Sequence, residues 1–124
     1  MKLRIHGNSL RLRLNQTEVA QFSKTGFVEE AIDFGAGARL AFSLESLSDL
    51  DTPQALFQTN WIRIQIPSVR AQAWFTSDLV GIAGEQVLGS GKRLAILIEK
   101  DFQCVHSPEP DPNAYPNPLN ESAR

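Results

Sequence analysis

Four cationic side chains alternate with apolar residues over the first fourteen positions, MKLRIHGNSLRLRL. Lys2 and Arg4 precede the dipeptide Gly7-Asn8, and Arg11 and Arg13 follow it. Successive side chains of a β-strand point to opposite faces, so this pattern predicts a hairpin with one cationic face and one apolar face. A guanidinium group is a planar donor that matches the oxygens of phosphates and carboxylates. The chemistry that these residue types favour is therefore the binding of a small anion.

The candidate anion site consists of five residues: Lys2, Arg4, Asn8, Arg11 and Arg13. Asn8 is included because a turn that holds asparagine can aim backbone N–H groups at an anion. A second interpretation is a solvated sheet face whose arginines pair with carboxylates of neighbouring strands, such as Glu29, Glu45 and Glu99. Each such pair contributes about 0.2–1 kcal/mol. The sequence leaves both interpretations open.

An enzymatic alternative follows if the charged sheet face is concave. Such a surface is similar to that of the triphosphate-tunnel enzymes, which line a barrel with acidic and basic side chains. Those enzymes carry alternating glutamates at the N-terminus, where this chain has Lys2-Leu3-Arg4, and this departure argues against metal-dependent hydrolysis. We expect no metal site, because Cys104, His106 and His6 are too few for a closed zinc site. No nucleotide or cofactor motif is present either.

Length and composition indicate what kind of protein this is and argue against several others. The chain has 124 residues, of which 42% are hydrophobic, which fits one domain with one core. A net charge of −2 argues against a nucleic-acid partner. A single cysteine excludes an intramolecular disulfide. The sequence contains neither a signal peptide nor an apolar run long enough for a membrane span, so it predicts a cytoplasmic protein.

The first half of the chain shows clear local signals. Asn15 and Glu18 have the spacing of a capping box, which predicts a helix that begins at Gln16 and ends at Gly26. Phe27–Phe34 and Ala38–Glu45 alternate in polarity on either side of a glycine-rich turn. These two segments predict the clearest hairpin of the chain.

The second half gives longer and less regular elements. Leu56–Ile66 predicts one long strand, and Ser68 is the expected N-cap of a second helix, whose buried stripe would contain Val69, Ala73 and Trp74. Leu79–Leu88 predicts a bent strand. Arg93–Phe102 is apolar on both sides, which predicts a central strand covered on both faces. No internal repeat is visible in the sequence.

These elements predict an α+β domain over residues 1–106. Its core would be a mostly antiparallel sheet of about six to seven strands, curved if its charged face is concave, with two short helices. Residues 107–124 contain five of the seven prolines and predict an extended or disordered tail. Tyr115 and Leu119 are its only large apolar side chains, and they would fix the tail to the domain or to the second chain of a homodimer.

Three motifs resemble those of a family of small uncharacterised bacterial proteins. They are K-x-R-I-x-G-N-S-x-R-x-R-L at Lys2–Leu14, E-V-x-x-F at Glu18–Phe22 and L-I-E-K-D-F-x-C at Leu97–Cys104. The resemblance implies a bacterial, cytoplasmic protein without an established activity, so it assigns no catalytic residue. The sequence therefore predicts a non-catalytic binding or accessory module for a small anion or a protein partner, with no cofactor. The alternative is an enzyme that handles an anion or a phosphoester.

Overall fold

A computed structural model describes residues 1–102, 113 and 115. Eight strands and two helices are formed within these residues. They are β1 (Lys2–His6), β2 (Ser9–Leu14), α1 (Gln16–Thr25), β3 (Phe27–Gly35), β4 (Ala38–Leu47), β5 (Gln54–Gln58), β6 (Trp61–Pro67), α2 (Ser68–Phe75), β7 (Gly81–Val87) and β8 (Arg93–Lys100).

The strands form two sheets of four, so the prediction of one sheet with six to seven strands was wrong. Sheet A has the order β1-β2-β8-β7, and sheet B has the order β3-β4-β6-β5. The number of sheets could not be predicted from alternating polarity. Alternation shows that a strand has one buried face, but it does not show which strands join in the same sheet. The α+β class and the predominance of antiparallel pairs remain correct, since only β2–β8 and β4–β6 are parallel among the described pairs.

The two halves of the chain have the same topology, a hairpin, a helix and a second hairpin. Each sheet takes one hairpin from each half, and the parallel pair joins them at its centre. Equivalent positions can be read from the strand registers: Leu12 corresponds to Ile64, and Leu44 corresponds to Ile98. The fold therefore contains a structural repeat that was not visible in the sequence.

The core lies where the inner faces of both sheets meet the two helices. Its fully buried side chains include Leu12, Leu14, Phe22, Leu44, Ile64, Ile66, Trp74, Ile82, Ile96 and Ile98. The predicted faces of β2 were therefore correct, because Leu12 and Leu14 are fully buried and Leu10 is half-buried, while Arg11 and Arg13 point outward. On β3 the predicted apolar face was wrong beyond Val28, since Ile32 and Phe34 are 49% and 67% exposed. Gly26 adopts φ 71° and ends α1, and Asn15 and Glu18 form the predicted capping box.

The predicted elements were wrong in the region of β5, β6 and α2. Thr59 and Asn60 adopt positive φ and form a tight turn, which divides the expected strand Leu56–Ile66 into the hairpin β5–β6. Pro67, not Ser68, is the N-cap of α2, and it makes no side-chain hydrogen bond there. Val69 is 80% exposed, whereas Trp74 is buried together with Ala71.

Strand β8 is central in its sheet, as predicted, but only one of its faces is covered. Ile96 and Ile98 are buried, while Ala95 on the opposite face is exposed and Leu97 is half-buried. The outer face of sheet A is therefore open at its centre. The candidate site lies on this open part of the sheet.

Two residues of the proline-rich segment contact the domain. The backbone N–H of Tyr115 donates to the carbonyl of Asp101 at 2.7 Å, and the backbone carbonyl of Asn113 accepts from Gln16. The tyrosine ring meets Phe102 edge to face, with centroids 5.8 Å apart. Cys104, His106 and Leu119 lie outside the described residues, as does the rest of the predicted tail. No helix within the described ranges is long and apolar enough to cross a membrane.

Candidate anion-binding site

The predicted cationic side chains lie together on the outer face of sheet A. The antiparallel pairing of β1 with β2 places Lys2 opposite Arg13 and Arg4 opposite Arg11. We call this surface the arginine face. Like charges directly opposite each other on neighbouring strands are destabilising, so each pair needs nearby negative charge.

Carboxylates at the end of β8 and just after it compensate the first of these pairs. Lys2 Nζ lies 2.8 Å from Asp101 Oδ2, and Arg13 Nε donates to Glu99 Oε1 at 2.7 Å. Asp101 is buried and the side chain of Glu99 is only 17% exposed, so these ion pairs are partly shielded from water. Lys2 and Arg13 therefore have internal partners.

The second pair, Arg4 and Arg11, is much less compensated. Arg11 Nε lies 3.5 Å from Glu99 Oε1, the same oxygen that Arg13 contacts at shorter range. Arg4 makes no hydrogen bond or ion pair within the part of the chain that the structure describes. Glu99 thus pairs with two guanidinium groups, and that of Arg4 has no partner among the described residues, which leaves the surface around Arg4 and Arg11 positive.

Two adjoining depressions surround these arginines. A hollow of about 140 Å³ is lined by Arg4, His6, Ser9 and Arg11. Beside it, a groove of about 490 Å³ crosses β2, β8 and β7, and its walls include Leu10, Ala83, Gly84, Glu85, Ala95, Ile96 and Leu97. Ser9 and Arg11 line both depressions. We call them the arginine hollow and the groove.

Asn8 holds the backbone at the end of the groove. The side-chain amide of Asn8 donates to the backbone carbonyl of Arg93 at 2.7 Å. The backbone carbonyl of Asn8 accepts from the backbone N–H of Ala95. Arg93 in turn pairs with Glu85 on β7 at 3.0 Å. These bonds connect the β1–β2 turn to β8, so Asn8 positions Ser9 rather than lining either depression.

Sequence reasoning found the arginines but missed the groove residues. Ser9, Ala83 and Ala95 are small and lie on three different strands, and none carries a chemical signal alone. Each alanine has one charged neighbour on its own face, Glu85 beside Ala83 and Arg93 beside Ala95, but only the strand order brings the two alanines together. His6 was considered only as a metal ligand. Among the described residues, no group of three or more His, Cys, Asp or Glu side chains could hold a metal ion.

Most of the chain matches the model of a protein family. The model of a family of unknown function, DUF7009, matches residues 1–119. The chain belongs to this family. The match confirms the resemblance to proteins of unknown function that the motifs indicated, and it extends from β1 beyond Tyr115. Neither a curated protein nor a solved structure matches the chain.

Proposed function

We propose that this protein is a non-catalytic binding module that holds a small anion in the arginine hollow. The observation that carries the proposal is the facing pair Arg4 and Arg11. Arg4 has no ion-pair partner among the described residues, and Arg11 lies 3.5 Å from a carboxylate that Arg13 contacts more closely. Such a pair costs folding free energy unless negative charge is supplied nearby. A bound anion would supply that charge at the point where the fold leaves it missing.

The size and chemistry of the hollow suit one phosphate or carboxylate group. A guanidinium group can donate two parallel hydrogen bonds to such an anion, and these charge-assisted bonds are stronger than neutral ones. The side chain of Arg11 is 38% exposed and that of Arg4 is also exposed, so both can reach a ligand from solvent.

The orientation of Ser9 supports binding over nucleophilic catalysis. A serine nucleophile needs a base within hydrogen-bond reach of its hydroxyl. Ser9 Oγ instead donates to the backbone carbonyl of His6 at 2.5 Å. The enzymatic alternative therefore has no specific support from the geometry of the hollow.

Calorimetric titration with inorganic phosphate at low ionic strength tests the proposal. We expect saturable binding that Arg4→Gln weakens by about 1–3 kcal/mol, the range of charge-assisted hydrogen bonds. The free Arg4→Gln protein should be as stable as the unmodified protein or slightly more stable, because a like-charge contact is relieved.

Arg39→Gln is the matched control. Arg39 is an exposed arginine of sheet B whose Nη2 lies 3.5 Å from Glu29 Oε1, so its loss should leave phosphate binding unchanged. Absence of saturable binding, or equal affinities for the unmodified protein and Arg4→Gln, would contradict the proposal. Equal losses in both arginine variants would show a general charge effect instead of a site.

A further inference from the structure

The structural repeat allows the groove of sheet A to be compared with the equivalent surface of sheet B. Ser9 pairs with Ala95 on its parallel neighbour, and Trp61 pairs with Ala41 in the same way. The next outward position along each strand is an arginine, Arg11 in sheet A and Arg63 in sheet B. Ser9 and Trp61 therefore occupy equivalent positions beside equivalent arginines.

In sheet B an aromatic ring covers this position. The indole of Trp61 lies against Arg63, whose Cζ is 4.8 Å from the ring centroid. Trp61 Nε1 also donates to Ser43 Oγ at 2.9 Å, and Ser43 is fully buried. A guanidinium beside a ring at this distance is a favourable cation–π contact. Sheet B thus shows that an aromatic ring fits at this position beside the arginine.

In sheet A the same position holds Ser9, and no ring of the described residues lines the groove. The opening of about 490 Å³ lies in the volume range of small-molecule sites. Leu97 takes the place of Ser43 in the register, so the floor of the groove is apolar where the floor in sheet B is polar. A ring here would contact Leu97 and Ala95 and lie beside Arg11.

We infer that the ligand of the groove is an aromatic anion, a planar ring that lies beside Arg11 and carries its negative group to Arg4 in the arginine hollow. This inference rests on the proposed anion site and adds an aromatic ring to the ligand. Arg4 supports the link between the two parts, because its equivalent in sheet B is the apolar Leu56, opposite Arg63. The cationic end is therefore specific to the sheet whose groove is open.

Matched probes with and without a ring distinguish the contribution of the ring to affinity from that of the anionic group. Titrations would compare adenosine 5′-monophosphate with ribose 5-phosphate, and indole-3-acetate with acetate. We expect at least one ring-bearing probe to bind tenfold or more tightly than its ringless partner. Arg4→Gln should weaken both members of that pair.

Ser9→Trp tests the ring position directly, because it places in sheet A the residue that sheet B already carries. This variant should lose the tenfold advantage of the ring. Ala83→Leu, at a residue that lines the groove but not the arginine hollow, should lose the same advantage while the ringless anion binds as before. Ser23→Trp is the control for an added indole, since Ser23 is exposed on α1 and outside the groove. Should Ser9→Trp fail to fold, Ala83→Leu fills the groove from β7, and the same loss is expected.

The outcomes distinguish the inference from the proposed function. If ringless anions bind through Arg4 but the ring adds nothing in either pair, the inference is overturned and the anion module stands. If Ser9→Trp and Ala83→Leu both fold and keep the ring advantage, the ring does not lie in the groove and the inference is also overturned. If none of the four probes binds, both proposals fail.

Discussion

Phe22 of α1 meets Trp74 of α2 edge to face, with ring centroids 6.3 Å apart and an interplanar angle of 65°. Both side chains are almost completely buried, and Phe75 makes a second edge contact with Phe22 at 6.4 Å. Phe22 and Trp74 occupy the same position in the two halves of the repeat. The two helices therefore contact each other through equivalent residues, and this aromatic pair links the halves in the core.

Replacement of Trp74 by alanine should destabilise the protein strongly. The change removes a fully buried ring and leaves the carbonyl of Val80 without the Nε1–H donor that lies 3.0 Å away. We expect a loss of about 3–5 kcal/mol in the free energy of unfolding, measured by urea denaturation. Val69→Ala in the same helix removes an exposed side chain and should change this free energy by less than about 0.5 kcal/mol. Similar effects of the two substitutions would contradict the assigned helix face.

Gly84 should not tolerate a side chain, because β7 closely approaches a buried proline. A Cβ atom at Gly84 would lie 2.8 Å from both Cγ and Cδ of Pro53. The proline ring is rigid and fully buried, so Gly84→Ala should cost about 1–3 kcal/mol of stability, as overpacked cores do. A Cβ at Gly89 meets nothing within 4 Å, so thermal denaturation of Gly89→Ala should show almost no shift. Equal melting temperatures for the two variants would refute the close contact.

Glu18 should make stability depend on pH in the acidic range. Burial alone would raise the pKa of Glu18, but hydrogen bonds from the Met1 ammonium and the Asn15 N–H outweigh it and lower the pKa below 4.5. The carboxylate therefore stabilises the fold above about pH 4.5, and this contribution is lost as the pH falls through the lowered pKa.

Glu18→Gln tests this dependence, because glutamine keeps the capping box while removing the charge. The free energies of unfolding of Glu18→Gln and of the unmodified protein should differ most above about pH 4.5 and should converge as the pH falls through the lowered pKa of Glu18. A difference that stays constant across this range would show that the ionic contact with Met1 contributes nothing.

Tyr115 should stabilise the domain although it lies in the proline-rich segment. It is half-buried against Phe102, and its ring centroid lies 5.5 Å from Lys100 Nζ. Tyr115→Ala should therefore cost about 1–2 kcal/mol in urea denaturation, whereas Tyr115→Phe, which keeps the ring, should cost little.

A chain that ends at His106 extends this test to the predicted domain boundary. Residues 1–106 include the two sheets and both helices, so this chain should fold and should lose about as much stability as Tyr115→Ala. An unfolded product would show that the domain does not end at residue 106. Unchanged stability would show that the segment contributes nothing.

Local features of the sequence determined the two faces of β2, the capping box of α1 and the hairpin β3–β4. They could be read because polarity alternates within one strand and because a cap involves residues three positions apart. Leu12 and Arg13 illustrate this point, since neighbouring positions on a strand must face opposite sides wherever the strand lies. The arginine face was predicted in the same way, from residues within one hairpin.

Tertiary structure alone decided the two sheets, the parallel pairing of β2 with β8 and the groove. Glu99 became the partner of Arg13, while Glu29 and Glu45 lie on sheet B, because the strand order places β8 beside β2. Ser9, Ala83 and Ala95 line one groove for the same reason. Alternation fixes which face of a strand is buried, but the choice of neighbouring strand depends on packing between segments distant in sequence.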